Sequence, residues 1–194
     1  MEQRGIWPRC CRKRSMPRTM DRQLEADNQA AKEEGLNVLV LGVGNILLSD
    51  EGAGVRAVER LQERYLLPPG LELVDGGTTG LDLLPLIEGR SHLLIVDVTT
   101  SQNRQPGSVK RLDLSGSPGY FRQKISPHQL GLSDVFAVAE LEGTLPKQIL
   151  LVGIVPQDLS TGLSLSPAVA ASLDAVVDLL AAELQGLGLE LEPR

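Results

Sequence analysis

Three side chains that could together bind a divalent cation stand far apart in the sequence. Glu51 and Asp97 each follow a short apolar run, and His128 lies in a later loop. Two carboxylates and one imidazole that leave coordination positions open would suit zinc, nickel, iron or manganese. Each residue type also has an ordinary structural role, in a helix cap, at a helix N-terminus or on the surface. Residue types and spacing alone leave both interpretations open.

The positions of two further polar residues, Asp75 and His92, follow from the predicted strands to which they belong. Asp75 ends a predicted strand in a run with Gly76 and Gly77, whose missing side chains allow another backbone to approach closely. A simple tight turn is the favoured interpretation of that run. His92 begins the strand that Asp97 ends, so the two lie roughly 16 Å apart at a rise of ~3.3 Å per residue. His92 is therefore excluded from any site that contains Asp97.

Several other chemistries are excluded because their motifs are missing. The chain has no G-x-S-x-G elbow for a serine hydrolase and no phosphate-binding P-loop. The run 42–44 begins like a dinucleotide-binding fingerprint, but Leu47 stands where its third glycine would be. The only cysteines, Cys10 and Cys11, are adjacent in a basic leader, so they neither cross-link a core nor supply a nucleophile. Such cysteine usage indicates a reducing, cytoplasmic location.

Apolar strands alternate with helical segments along most of the chain, which predicts an α/β fold. We expect a three-layer sandwich in which an open, mostly parallel sheet carries helices on both faces. Ligands of such sheets bind beyond the carboxyl ends of the strands, where Glu51, Asp97 and His128 would meet. Strands are predicted at residues 38–43, 71–74, 92–98, 108–114 and 148–155. Helices are predicted from residue 55 until Pro68 and Pro69 end the first one, at 81–87 (capped by Thr79), at 133–141, and from residue 167 (capped by Ser166) to a stop at Gly186.

Charge divides the chain of 194 residues into a basic extension, residues 1–35, and an acidic domain, residues 36–190. The extension is predicted to be disordered; a solvated tail and a translation start at Met16 or Met20 are favoured over a docking arm. The acidic domain and an aromatic content of 3% argue against a nucleic-acid partner. No apolar run is long enough to cross a membrane. We expect a monomer.

Four strings of residues and the Asp97 strand, taken in order, resemble the [NiFe]-hydrogenase maturation proteases over about residues 37–185. The strings are G-V-G-N-I-L-L-S-D-E-G-A-G-V (42–55), D-G-G-T-T-G (75–80), K-I-S-P-H-Q-L-G-L (124–132) and L-V-G-I-V-P (151–156). Members of this family are endopeptidases that remove the C-terminal extension of the hydrogenase large subunit.

The resemblance implies a twisted α/β sandwich and a nickel site formed by Glu51, Asp97 and His128. It further implies that the nickel is carried by the large-subunit precursor and that cleavage follows its insertion. The aspartate of the D-G-G-T string, Asp75, is the implied catalytic residue, which makes the enzyme an aspartic-type protease. In hydrolysis such a carboxylate could act as the general base.

Two alternatives use the same residues. One is a peptidase that keeps its own divalent metal, and the other is a nickel-binding chaperone that performs no hydrolysis. Three features depart from the family pattern: the basic leader, Pro85 within a predicted helix, and residues 158–164, which we expect to line the substrate groove.

Overall fold

The structure is a computed structural model that describes residues 35–78, 80–99, 104–115 and 129–194. The chain divides into two units, Met1–Gly35 and Leu36–Arg194, and every element named below belongs to the second. Disorder in residues 1–35 stays a prediction. Within the described ranges, no helix combines the length and apolar character needed to cross a membrane.

Buried apolar runs form a central sheet in the described part of the chain. The strands are β1 (Val38–Val43), β2 (Tyr65–Leu66), β3 (Leu71–Gly77), β4 (His92–Val98), β5 (Val109–Asp113), β6 (Gln148–Ile154) and β7 (Glu192–Pro193). The main sheet has the order β3-β1-β4-β6-β5. Its first four strands are parallel, and β5 pairs antiparallel with β6 at one edge. Strands β2 and β7 form a separate antiparallel pair.

Helices cover both faces of this sheet. They are α1 (Ala53–Arg64), α2 (Leu84–Ile87), α3 (Gln129–Glu142) and α4 (Pro167–Gly186), with 3-10 turns at Ser49–Gly52 and Leu81–Leu83. Successive side chains of a strand point to opposite faces. One cluster therefore joins Val38 and Val40 to α1 and α4, and another joins Leu39 and Leu41 to α2 and α3. The predicted three-layer α/β sandwich is confirmed.

The elements differ from their predicted bounds where distant pairing or local geometry intervenes. Helix α1 ends at Arg64 because Tyr65 pairs with Pro193 in the small β2–β7 ribbon. Pro85 lies in the first turn of α2, where its missing N–H is tolerated, and the helix is only four residues long. Helix α3 begins four residues before its predicted start at residue 133. The predicted cap residue Thr79 lies outside the described residues.

Helix α1 lies in direct contact with the strand backbone at its first turn. A Cβ atom on Gly54 would be 2.2 Å from the carbonyl oxygen of Val96 and 2.3 Å from that of Val43. A Cβ atom on Gly42 would likewise be 2.6 Å from the carbonyl oxygen of Gly54. Because no side chain separates them, the segment Ser49–Gly52 that precedes α1 contacts β4.

We expect Gly54→Ala to lower the free energy of unfolding by about 1–3 kcal/mol, because its methyl group forces α1 off the sheet backbone. Gly186→Ala is the matched control: Gly186 is also helical, but a methyl group added there would have no atom within 4 Å. That variant should keep its stability or gain up to about 1 kcal/mol. Urea unfolding of both proteins measures the difference, and equal midpoints would contradict the close contact.

Candidate functional site

The buried polar side chains of the described ranges gather at one edge of the sheet. They are Ser49 (7% exposed), Asp50 (0%), Glu51 (5%), Asp97 (1%) and Thr99 (2%). The first three follow β1, and the other two lie at the end of the adjacent strand β4. Burying a carboxylate costs free energy that must be offset by specific partners. This edge is therefore the candidate site.

Glu51 is positioned by tightly packed backbone. The turn before it includes Gly44 (φ 140°), where a Cβ atom would be 1.8 Å from the carbonyl oxygen of Glu51. Ser49 has a left-handed backbone (φ 49°), which is uncommon for a residue other than glycine. Leu48 forms an isolated bridge with Gly162. The backbone around Glu51 is thus fixed by its close contact with Gly44 and by the bridge to Gly162.

Asp97 is the next-to-last residue of β4, and its Oδ1 accepts a hydrogen bond from the N–H of Val98 at 2.7 Å. Its side chain points to the same face as Leu93 and Ile95, which pack beneath α3. Helix α3 begins at Gln129, the residue after His128. The structure therefore brings Glu51 and Asp97 to one edge.

His128 lies outside the described residues, so its place in this site stays a prediction. Within the described part of the chain, no three His, Cys, Asp or Glu side chains converge closely enough to hold a metal ion. Two of the three predicted ligands are therefore located, and the third ligand belongs to the proposal below.

Asp75 lies at the end of β3, the strand on the other side of β1, and its side chain is exposed. Its Oδ1 accepts a hydrogen bond from the N–H of Gly77 at 2.8 Å. The predicted tight turn after residue 74 is wrong, because residues 75–77 continue β3 and pair with β1 through a bulge. Gly77 has a φ of 49°, and its carbonyl oxygen accepts the N–H of Gly44 at 2.9 Å. This bond ties the bulged end of β3 to the segment that leads to Glu51.

His92 lies at the other end of β4 from Asp97, as predicted from strand geometry. Its Nδ1 is 3.0 Å from the hydroxyl oxygen of Ser91, and burial lowers the pKa of its imidazole. The imidazole therefore favours the neutral form away from the candidate site.

Sequence reasoning does not single out Asp50, yet this residue accepts three backbone hydrogen bonds. Its Oδ2 accepts from the N–H groups of Gln157 at 2.8 Å and Asp158 at 2.9 Å, and its Oδ1 accepts from Ser166 at 2.6 Å. These donors lie more than 100 positions away. No local pattern could have revealed them. The fully buried carboxylate ties the loop between β6 and α4 to the segment that carries Glu51.

A family model described as hydrogenase maturation protease matches residues 55–183 of this chain. The chain belongs to the hydrogenase maturation protease family. Hydrogenase 2 maturation protease of Escherichia coli K12 is 44% identical over 159 residues, which are 82% of this chain and 97% of that protein. The hydrogenase expression/formation protein HupD of Rhodobacter capsulatus is 41% identical over 156 residues, 79% of this chain and 74% of that protein.

Solved structures of the family share the fold. The E. coli hydrogenase maturating endopeptidase HybD superposes with a TM-score of 0.77 at 44% identity, covering 82% of this chain and 98% of that one. The [NiFe] hydrogenase maturation protease HybD of Thermococcus kodakarensis gives a TM-score of 0.62 at 27% identity, covering 76% and 99%. The family and the enzyme class inferred from the motifs, a hydrolase that acts as an endopeptidase in hydrogenase maturation, are confirmed.

We expect Asp50→Asn to lower the free energy of unfolding by about 2–4 kcal/mol, because an amide presents a donor to N–H groups that need acceptors. Urea unfolding measures this loss, and amide hydrogen exchange at Gln157 and Ser166 should accelerate. Asp158→Asn is the matched control, since that carboxylate is exposed and accepts the nearby Ser160 N–H at 2.8 Å. Its loss should stay below about 1 kcal/mol. Equal losses would contradict the anchoring role of Asp50.

Proposed function

We propose that this endopeptidase removes the C-terminal extension of a [NiFe]-hydrogenase large-subunit precursor after nickel has entered that precursor. The observation that carries the proposal is the burial of Glu51 and Asp97 at one edge of the sheet. A divalent cation offsets the desolvation of buried carboxylates, and the substrate would deliver that cation. The proposed setting is the cytoplasm, because the cysteines are confined to the leader.

In this proposal Glu51, Asp97 and His128 bind the nickel that the precursor carries. A set of three protein ligands leaves coordination positions for groups of the precursor. The site would therefore bind free nickel weakly and the loaded precursor strongly, because only the precursor completes the coordination sphere. Binding of the precursor's nickel would therefore both recognise the loaded precursor and position its scissile segment.

Exposed apolar side chains beside the site suit a protein substrate. Ile46 and Leu47 are 37% and 56% exposed in the turn before Glu51, and Leu159 and Leu163 are 39% and 68% exposed in the loop anchored by Asp50. The two segments are joined where the N–H of Gly162 donates to the carbonyl oxygen of Leu47 at 2.9 Å. Exposed apolar patches mark contacts with macromolecules. Residues 158–164 would thus line the substrate groove.

Asp75 is the proposed general base. Its exposed carboxylate is accessible to water, and the β3 end lies beside the β1 end. The carboxylate would take a proton from water as the water oxygen bonds to the scissile carbonyl carbon. The C–N bond then breaks, and the protonated Asp75 carboxyl would return that proton to the departing amine, which regenerates the carboxylate.

The main test incubates the protein with nickel-loaded and nickel-free precursor and measures the precursor by mass spectrometry. We expect loss of a C-terminal peptide only from the loaded form. Glu51→Gln, Asp97→Asn and His128→Ala should each slow cleavage by at least about 100-fold, because each removes a ligand. His92→Ala is the control, since this histidine lies at the opposite end of β4.

Three outcomes would contradict the proposal. Wild-type cleavage by the triple variant would exclude the assigned ligands. Complex formation without loss of mass would indicate a nickel-binding chaperone. Stoichiometric metal in the purified protein, together with cleavage of nickel-free precursor, would indicate a peptidase with its own metal.

The role of Asp75 is tested separately. Asp75→Asn should lower the single-turnover cleavage rate by about 10²–10⁴-fold, because a general base is lost, while the dissociation constant of the loaded precursor stays the same. Asp82→Asn is the matched control, as this aspartate is also exposed and follows the end of β3. Equal rates for the two variants would exclude Asp75 as the base.

A further inference from the structure

A buried hydroxyl group beside Asp97 has no role in the chemistry above. Thr99 follows β4 directly and is 2% exposed. Its backbone N–H donates to the carbonyl oxygen of Ile154 at 2.8 Å, which fixes the position of the residue. Nothing in the described ranges hydrogen-bonds to its Oγ1. Leaving a buried hydroxyl unsatisfied costs about 1–3 kcal/mol, so the free protein gains nothing from this group.

The Thr99 side chain lies on the same face of the sheet as the Asp97 carboxylate. Gly153 of β6 is the register partner of Asp97, and a Cβ atom on Gly153 would be 2.5 Å from Cγ2 and 2.7 Å from Oγ1 of Thr99. Paired residues of parallel strands point to the same face, and so do residues two apart in one strand. The side chain of Thr99 therefore fills the space that Gly153 leaves open beside Asp97.

We propose that Thr99 is a positioning residue for the substrate: its hydroxyl donates a hydrogen bond to the precursor atom, sulfur or oxygen, that ligates nickel next to Asp97. This inference rests on the proposed function. A carboxylate only accepts hydrogen bonds, and so do a metal-bound thiolate and a carbonyl oxygen. Thr99 adds a hydroxyl donor to such a cluster of acceptors. The hydroxyl that is unsatisfied in the free protein becomes satisfied when the loaded precursor binds.

The variant Thr99→Val distinguishes the proposed positioning role of Thr99 from a purely structural one. Valine has nearly the same shape but no hydroxyl, so the variant should fold with unchanged or higher stability in urea. The dissociation constant of the nickel-loaded precursor should rise about tenfold through loss of one hydrogen bond to a charged group. Affinity for nickel-free precursor should not change. Thr99→Ser, which keeps the hydroxyl, should restore most of the affinity for the loaded form.

Thr144→Val is the matched control, because Thr144 Oγ1 donates to the carbonyl oxygen of Ala139 at 3.4 Å in the segment between α3 and β6. It should leave both affinities unchanged. Equal affinities of wild type and Thr99→Val for loaded precursor would overturn the inference, as would a clear loss of stability in Thr99→Val. The affinities test the role of Thr99. Cleavage tests the proposed function, which would be overturned if the wild-type protein bound loaded precursor without cleaving it.

Discussion

The site depends on the approach of one helix to the backbone of the central strands. Gly42 and Gly54 leave no side chain between α1 and the strands β1 and β4, so the residues before α1 are drawn against the end of β4. Glu51 belongs to that segment, and Asp97 belongs to that strand end. Two carboxylates from separate parts of the chain thereby share one edge of the sheet. A methyl group at Gly42 or Gly54 would overlap backbone atoms at this contact.

Neighbouring acids at this edge differ in burial and in hydrogen-bond partners. Asp50 is satisfied by three backbone donors, so its charge is committed to holding the loop between β6 and α4. Asp75 is exposed and accepts the Gly77 N–H within the bulged end of β3. Glu51 and Asp97 are buried at the ends of adjacent elements, and the proposed function assigns them the cation that the precursor would deliver. Residue type is nearly the same throughout, so these differences come from the position of each residue in the fold.

Features of the fold that depend on neighbouring residues are predicted correctly from the sequence, whereas features that depend on partners far away in the chain are missed. Strand β4 has its predicted bounds because a continuous apolar run specifies a strand buried on both faces. Helix α4 begins as predicted, since Ser166 caps it by accepting the Val169 N–H at 3.4 Å. Helix α1 is predicted to run until Pro68 but ends at Arg64, because Tyr65 pairs with Pro193, a partner that no window of sequence around Tyr65 contains. The hydrogen-bond donors to Asp50 are also distant in the sequence, so its role is missed. By contrast, parallel strand topology alone is enough to place Glu51 and Asp97 at one edge of the sheet.

The anchoring of the loop between β6 and α4 has an evolutionary consequence. Asp50 holds this loop through the backbone N–H groups of Gln157, Asp158 and Ser166, and every amino acid except proline carries that group. Mutations in the loop can therefore alter its exterior without releasing the anchor. The side chains of the loop can diverge between lineages while the attachment beneath stays constant, provided that one acidic side chain is retained.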